Sequence, residues 1–178
     1  MSKRFSLCGW LSPLAFCLLI SPASAAERLA AQCNSCHGQG GISTTSHLPS
    51  IAGLNFRYFY KVMQDYRKDR RPSTVMGRIA KGYKSGQLQR LALHYGRQAW
   101  AGHVIAGADG EQVAQGAQLH EDLCAECHEQ GGRYQDKDTP PLAGQARGYL
   151  LAQMQAYRRA AADLPQPALM QERLERLS

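Results

Sequence analysis

A five-residue motif, Cys-x-x-Cys-His, occurs twice in the sequence and constrains the fold more than any other feature. The first copy spans residues 33–37 and the second spans residues 124–128, so equivalent positions lie 91 residues apart. The offset continues without a gap and relates Gln39-Gly40-Gly41 to Gln130-Gly131-Gly132, Pro49 to Pro140, Ala52-Gly53 to Ala143-Gly144, Tyr58 to Tyr149, Met63-Gln64 to Met154-Gln155, and Tyr66-Arg67 to Tyr157-Arg158. A fixed offset of this kind predicts two copies of one small domain.

The spacing within each motif indicates covalently attached haem. Two thiols three positions apart can add to the two vinyl groups of a porphyrin, and the histidine that follows can bind the iron. A zinc site would need four clustered ligands, and a redox-active dithiol is expected at a βαβ pattern, which the sequence lacks. We therefore predict two haem c groups. The predicted attachment residues are Cys33, Cys36, Cys124 and Cys127, and the predicted iron ligands are His37 and His128.

The second ligand of each iron is predicted to be a methionine. A thioether ligand raises the reduction potential and favours electron transfer over oxygen chemistry. Met63 and Met154 lie within amphipathic helices, where core filling explains them better. Met76 follows the first of these helices, in a predicted loop, and Met170 is the one methionine after the second. We predict Met76 for the first iron and Met170 for the second, although Pro167 stands at the 91-residue offset from Met76.

The remaining polar and aromatic residues fall into two groups. The other histidines after residue 25 do not recur at the offset and are interpreted as ordinary surface residues; they are His47, His94, His103 and His120. A tyrosine, tyrosine and arginine set does recur, and it is a candidate to pack on haem or to bind its propionates. Its members are Tyr58, Tyr66 and Arg67, with Tyr149, Tyr157 and Arg158.

The first 25 residues predict a secretory signal peptide. A positive region at residues 3–4 precedes an apolar stretch at residues 7–20 and small residues that end at Ala25, which is the order of an export signal. The apolar stretch is shorter than the roughly 20 residues that span a bilayer. We expect cleavage after Ala25 and a periplasmic product without a membrane span. Cleavage would remove Cys8 and Cys17, and loss of the two signal cations would lower the formal charge from +7 to +5.

The rest of the sequence predicts an all-α fold. Apolar residues at helical spacing, and no alternating β-branched runs, predict helices at residues 27–32, 56–68, 86–98 (with Ser85 as the N-cap), 111–123 and 148–162. The predicted organisation is a signal peptide at 1–25, a first domain at 26–99, a linker at 100–110 and a second domain at 111–178. The basic residues are scattered, without an aromatic-lined groove, so no nucleic-acid partner is expected.

The tandem motifs, each followed by x-x-Gly-Gly, Pro-x-x-Ala-Gly and an aromatic-rich helix, resemble the dihaem cytochromes of the cytochrome c4 type. Residues 73–83 and 119–132 are more similar to the haem subunit of flavocytochrome c sulfide dehydrogenase. The resemblance implies two class I cytochrome c domains packed face to face, with the haem propionates near their interface.

The same resemblance implies an electron relay that is not an enzyme by itself. It would take electrons from an FAD-containing flavoprotein that oxidises sulfide and pass them to a soluble periplasmic acceptor. One alternative is a free shuttle of the cytochrome c4 kind that feeds a terminal oxidase. Another is a haem enzyme such as a peroxidase, which would require an open or histidine-lined distal site.

The second domain departs from the first at its end. About 22 residues follow Met76 up to the end of the helix predicted near residue 98, but eight follow Met170. We therefore expect the second domain to lack its C-terminal helix. We also expect the bond between Met170 and iron to be the weaker of the two.

Overall fold

The computed structural model describes residues 25–102, 109–159 and 167–177. The predicted signal peptide up to residue 24, His103 and the middle of the predicted linker, the end of the helix predicted at 148–162, and Ser178 lie outside this range. The described residues contain helices and no β-strand, which confirms the all-α fold. Helices α1 to α4 are Ala25–His37, Phe56–Arg67, Met76–Lys81 and Ser85–Gly96, and helices α5 to α8 are Gly110–Leu123, Glu129–Gly132, Arg147–Arg159 and Ala168–Glu175.

The C-terminal half (residues 109–177) repeats most of the N-terminal half (residues 25–102). At the 91-residue offset α5 corresponds to α1, α7 to α2 and α8 to α3, while α6 corresponds to a 3₁₀ turn at Gln39–Gly41. Side-chain caps define two of the helix starts, since Asn55 accepts hydrogen bonds from the first turn of α2 and Asp109 from the first turn of α5.

Some predicted bounds need correction. Helix α1 does not stop before the first motif but continues through it to His37. The predicted N-cap of α4 is also wrong, because Ser85 is the first helical residue and Lys84 is the cap. The Lys84 N–H donates to the side-chain oxygen of Gln87 at 2.8 Å. The Ser85 hydroxyl is instead engaged by Arg67, which donates to it at 2.8 Å.

The core of the N-terminal half is closed by α4, which packs against α1 and α2. Leu88, Leu91 and Tyr95 of α4 are completely buried, and burying each such side chain contributes roughly 1.5–3 kcal/mol. The Tyr95 hydroxyl donates to the carbonyl of Ala30 at 3.1 Å and lies 3.0 Å from the side-chain oxygen of Asn34. These contacts hold α1, and therefore the first motif, in a fixed orientation.

The C-terminal half is much more open. Helices α5 and α7 contain no buried residue, and Val113 and Leu119 of α5 are 55% and 49% exposed. In the N-terminal half the corresponding surface of α1 is covered by α4, and among the described residues no helix packs on α5 in that way.

The two halves are joined by the side-chain amides of two glutamines, one buried and one half-buried. The backbone N–H of Ser50 donates to the side chain of Gln145 at 2.8 Å, and the Gln145 amide donates back to the carbonyl of Ser50 at 3.0 Å. In the same way the Gln135 side chain accepts from the Asn55 N–H at 2.7 Å and donates to the Gly53 carbonyl at 2.8 Å. Each glutamine therefore pairs with backbone groups of the opposite half.

Further contacts follow an approximate two-fold pattern. They include hydrogen bonds from Gly148 and Tyr149 to Ser46, from Trp100 to Ala143, and an ion pair between Lys61 and Asp138. Residues 46–50 thus face 145–149, and residues 53–61 face 135–138. Residues 145–149 and 135–138 are the repeat equivalents of 54–58 and 44–47. Each half therefore contributes the same two segments, as in an isologous dimer interface.

Among the residues described, none of the helices has the length and apolar character that a bilayer crossing requires.

Candidate haem sites

The four predicted attachment cysteines are free thiols. Cys33 and Cys36 lie in the C-terminal part of α1, whereas Cys124 directly follows α5 and Cys127 lies in the turn after it. In each pair the first cysteine is half-buried and the second is exposed. Burial raises the pKa of Cys33 and of Cys124. Each motif therefore presents two unpaired thiols beside its histidine.

Each motif histidine is oriented by a backbone carbonyl. Nδ1 of His37 lies 2.8 Å from the Pro49 oxygen, and Nδ1 of His128 lies 3.2 Å from the Pro140 oxygen. A carbonyl can only accept, so Nδ1 carries the proton and Nε2 keeps its lone pair. Burial lowers the pKa of both histidines, against a smaller effect of the carbonyl. A neutral imidazole with a fixed Nδ1–H is the form that binds a metal.

A glycine turn brings each proline carbonyl to its histidine. Gly41 and Gly132 have φ angles of +82° and +78°, which glycine adopts without steric cost. The carbonyl of Gly41 accepts from the N–H groups of residues 51 and 52, and that of Gly132 accepts from those of residues 142 and 143. The two halves thus fold the chain between histidine and proline in the same way.

The two predicted methionine ligands lie in the first turns of the corresponding helices α3 and α8, although Met170 lies three residues beyond the repeat equivalent of Met76. Met76 is half-buried and packs against the core of the N-terminal half. Its predicted loop position is wrong, because Met76 is the first residue of α3, whose first turn is held by a 2.7 Å hydrogen bond from the Gly77 N–H to the Ser73 hydroxyl. Met170 lies in the first turn of α8. Met63 is buried in the core.

These residues fit a covalently bound haem in both halves. Each half offers two free thiols, a neutral histidine with its Nε2 available, and a methionine at the start of a following helix. A zinc ion fits less well, because no three side chains of histidine, cysteine, aspartate or glutamate come together within the described ranges. Haem bound at these residues would supply a one-electron redox centre.

Comparisons with known proteins agree with this geometry. The model of the cytochrome c family matches residues 113–173. The thiosulfate dehydrogenase electron acceptor of Thiomonas intermedia is 30% identical over 149 residues, which cover 78% of this chain and 69% of that protein. This chain belongs to the cytochrome c family, in the group of the cytochrome c4 type. Membership implies covalently bound haem c, and the cytochrome is an electron-transfer protein.

Two further likenesses extend the comparison. The cytochrome subunit of sulfide dehydrogenase of Chlorobaculum tepidum is 38% identical over 80 residues, which cover 45% of this cytochrome and 72% of that subunit. Reduced cytochrome c4 of Pseudomonas stutzeri has the same fold, with a TM-score of 0.72 over 88% of this chain and 92% of the other at 24% identity. The solved thiosulfate dehydrogenase of Marichromatium purpuratum is longer, since the cytochrome covers 33% of its chain at a TM-score of 0.68 and 25% identity.

The structure adds a charged residue that sequence reasoning missed. Arg71 of the cytochrome is 8% exposed and lies where the two halves meet. Its guanidinium donates to the hydroxyls of Tyr66 at 3.3 Å, Tyr157 at 3.2 Å and Tyr149 at 3.5 Å, and to the side-chain oxygen of Gln153. The 91-residue offset gives alanine at the equivalent position, so the repeat carries no signal for Arg71. The recurring tyrosines were the available clue, since they converge on it.

The recurring arginines do not join this cluster. Arg67 donates to Ser85 within the N-terminal half, and Arg158 is exposed. One histidine that was interpreted as an ordinary surface residue has a structural contact instead. His120 is partly buried, and its Nε2 lies 3.0 Å from the carbonyl of His128, so it supports the second motif.

Proposed function

We propose that this cytochrome is a periplasmic dihaem electron carrier for the oxidation of a reduced inorganic sulfur compound. In this proposal it accepts electrons from a dehydrogenase and passes them to a soluble periplasmic acceptor, without catalysing the sulfur chemistry itself. The observation that carries the proposal is the duplicated site, in which each histidine is fixed through Nδ1 with Nε2 available. Two such sites would hold, one each, the two electrons released by a two-electron oxidation.

The residues have distinct roles in this proposal. Cys33 and Cys36 hold the first haem and Cys124 and Cys127 the second, while His37 and His128 bind the irons. Met76 and Met170 complete the coordination and exclude oxygen from the iron, which favours electron transfer. The periplasmic location is supported by the export signal pattern of residues 1–25.

The electron donor is proposed to be a partner enzyme for sulfide or thiosulfate. Relatives named for both substrates resemble the chain, and the segments around Met76 and the second motif favour the sulfide system, with an FAD-containing flavoprotein as donor. The decisive experiment mixes the oxidised holo-cytochrome anaerobically with each purified enzyme and its substrate, and follows haem reduction by absorbance. We expect full reduction, two electrons per chain, with one system.

A matched control makes this experiment specific. A variant in which Cys124 and Cys127 are both alanine should accept one electron per chain instead of two. Reduction of the wild-type protein by neither enzyme would contradict a role in sulfur oxidation. That result would favour the second candidate, a free cytochrome c4-like shuttle, which the fold likeness to cytochrome c4 supports.

Gel filtration at high salt separates the two candidates independently. A permanent subunit buries a large, more apolar interface and should remain bound to its flavoprotein. A shuttle that is guided by charge should dissociate, since salt screens interactions between exposed groups.

A further inference from the structure

Arg71 carries a buried positive charge that has no carboxylate partner within the described residues. Its guanidinium forms no ion pair there. The two aspartates of the same region are already paired, Asp65 with Arg70 at 2.5 Å and Asp69 with Lys81 at 2.8 Å. Buried charges in proteins are normally paired, because removing a lone charge from water is costly. We therefore expect an anion to bind beside Arg71.

The groups around Arg71 add hydrogen-bond donors, not negative charge. The hydroxyls of Tyr66 and Tyr149 accept from the guanidinium, so each keeps its own O–H to donate. Burial raises the pKa of Tyr58, and it raises the pKa of Tyr149 to about 12, so both stay protonated at neutral pH. Burial works against the charge of Arg71 and alone would lower its pKa, but a guanidinium titrates so far above neutral pH that the group stays charged. The cluster is thus a positive charge ringed by neutral donors.

Both halves contribute equivalent residues to this cluster. Tyr58 and Tyr66 come from α2, and Tyr149 and Tyr157 occupy the same repeat positions in α7. Arg71 itself has no counterpart, because residue 162 is alanine. The junction therefore contains one buried cation, from the N-terminal half, and tyrosine hydroxyls at equivalent positions of both halves.

We propose that Arg71 is a positioning residue that binds haem propionates at the junction and couples the two redox centres. Haem c brings two carboxylates per group, and the planar guanidinium matches a carboxylate with two parallel hydrogen bonds. Three side chains of the C-terminal half hold the Arg71 guanidinium: Tyr149, Gln153 and Tyr157. The charge of Arg71 therefore lies at the junction, and its position depends on both halves. The inference rests on the proposed function, since it requires a haem in each half.

Redox titration of the holo-cytochrome tests the proposal. A nearby positive charge favours the reduced form, so Arg71→Gln should lower both reduction potentials. We expect the two potentials together to fall by at least about 59 mV. For a one-electron couple this is a tenfold decrease in the ratio of reduced to oxidised haem at a fixed applied potential. Arg71→Lys keeps the charge without the planar fork and should recover most of that shift. Lys68→Gln removes the same charge from an exposed position three residues away and should change the ratio less than about twofold, since an exposed charge is screened.

The pH dependence of the potentials separates binding of propionates from a merely structural contact between the halves. The titratable groups that face Arg71 are Tyr58, Tyr66, Tyr149 and Tyr157, and burial raises the pKa of Tyr58 and of Tyr149 further above the range of about pH 5 to 8. With Arg71 present the propionates stay ionised and both potentials should be nearly constant over this range. In Arg71→Gln a propionate would take up a proton on reduction, so the potential should fall as pH rises.

Three outcomes decide between the hypotheses. Potentials of Arg71→Gln that shift no more than those of Lys68→Gln, with no new pH dependence, would overturn the inference. Potentials of the wild-type protein that respond to added inorganic phosphate would mean that the cluster binds a free anion instead, which also overturns it. Haem content is measured first by pyridine haemochrome assay: fewer than two haems in the wild type would refute the proposed function, whereas two haems with unchanged potentials would refute this inference alone.

Discussion

Met76 begins α3 and packs against the core of the N-terminal half. Its replacement by another possible iron ligand tests the proposed ligation directly. We expect Met76→His to keep the covalent haem but to lower the potential of one centre by more than ~59 mV, because imidazole donates more strongly than a thioether. The sulfur-to-iron charge-transfer band in the red should lose about half its intensity. Met63→Leu, in the buried core, is the control and should leave both signals unchanged. A Met76→His protein with its original potentials would show that Met76 does not bind iron.

Gly41 should tolerate no side chain, although its neighbour Gly40 should. Both have positive φ angles, but a Cβ at Gly41 would lie 2.6 Å from the Tyr95 ring, whereas a Cβ at Gly40 would lie 3.8 Å from its nearest neighbour. Gly40→Ala should therefore cost about 1–2 kcal/mol for the backbone conformation. Gly41→Ala should cost about 1–3 kcal/mol more for overpacking. Urea unfolding of the two holo-proteins measures the difference, and equal costs would mean that the loop moves to relieve the clash.

The residues of the haem sites differ in how far sequence could predict them. The cysteines and histidines are predictable because attachment chemistry fixes their spacing within five residues. The role of the Pro49 and Pro140 carbonyls could not be predicted, because every residue has a backbone carbonyl and the residue type does not show which one accepts a hydrogen bond. Arg71 could not be found either, because its partners lie in the other half of the chain and its charge is indistinguishable from the scattered surface cations.

Helix α5 has less support than its counterpart in the N-terminal half. Its counterpart α1 packs against α4, whereas α5 has no buried residue and leaves Val113 more than half exposed. We therefore expect the bond between Met170 and the second iron to break on heating before the bond between Met76 and the first. Absorption spectra recorded against temperature should show half of the haem turning high-spin at the lower temperature.

A variant without the second haem assigns that signal. When Cys124 and Cys127 are both alanine, the early transition should disappear and the later one should remain. Two low-spin signals that are lost together in the wild type would contradict the expectation and would mean that another contact supports α5.

Apolar spacing predicted the helices well, because α2 and α7 each carry apolar residues along one face. It predicted the ends of the helices less well. The pattern could not reveal that α1 continues through the first motif, since cysteine, asparagine and serine are weak helix formers. The start of α4 was misplaced because Ser85 is a strong N-cap residue by type, but its hydroxyl is held by Arg67.

For the whole molecule, Gln145 is the residue whose loss should separate the halves most. It is 7% exposed and exchanges two hydrogen bonds with Ser50 across the interface. Gln145→Ala leaves both Ser50 backbone groups buried without partners, at roughly 1–3 kcal/mol each. Calorimetry of the holo-protein should show the unfolding of the halves becoming less cooperative, with two resolved transitions. Gln155→Ala, on the exposed face of α7, should leave the profile unchanged, and an identical profile for Gln145→Ala would show that other contacts hold the halves together.

The near-symmetric interface has a consequence for the ancestry of the chain. A lone domain with these two segments would be self-complementary, so a single-haem ancestor could pair with itself. Tandem duplication of its gene would then tether the partners and raise their effective concentration to the millimolar range. A tethered pair no longer has to keep each copy independently foldable or identical. One copy could therefore gain an arginine at the shared junction, where the other has alanine, and the two redox centres would become unequal, which gives electron flow a preferred direction.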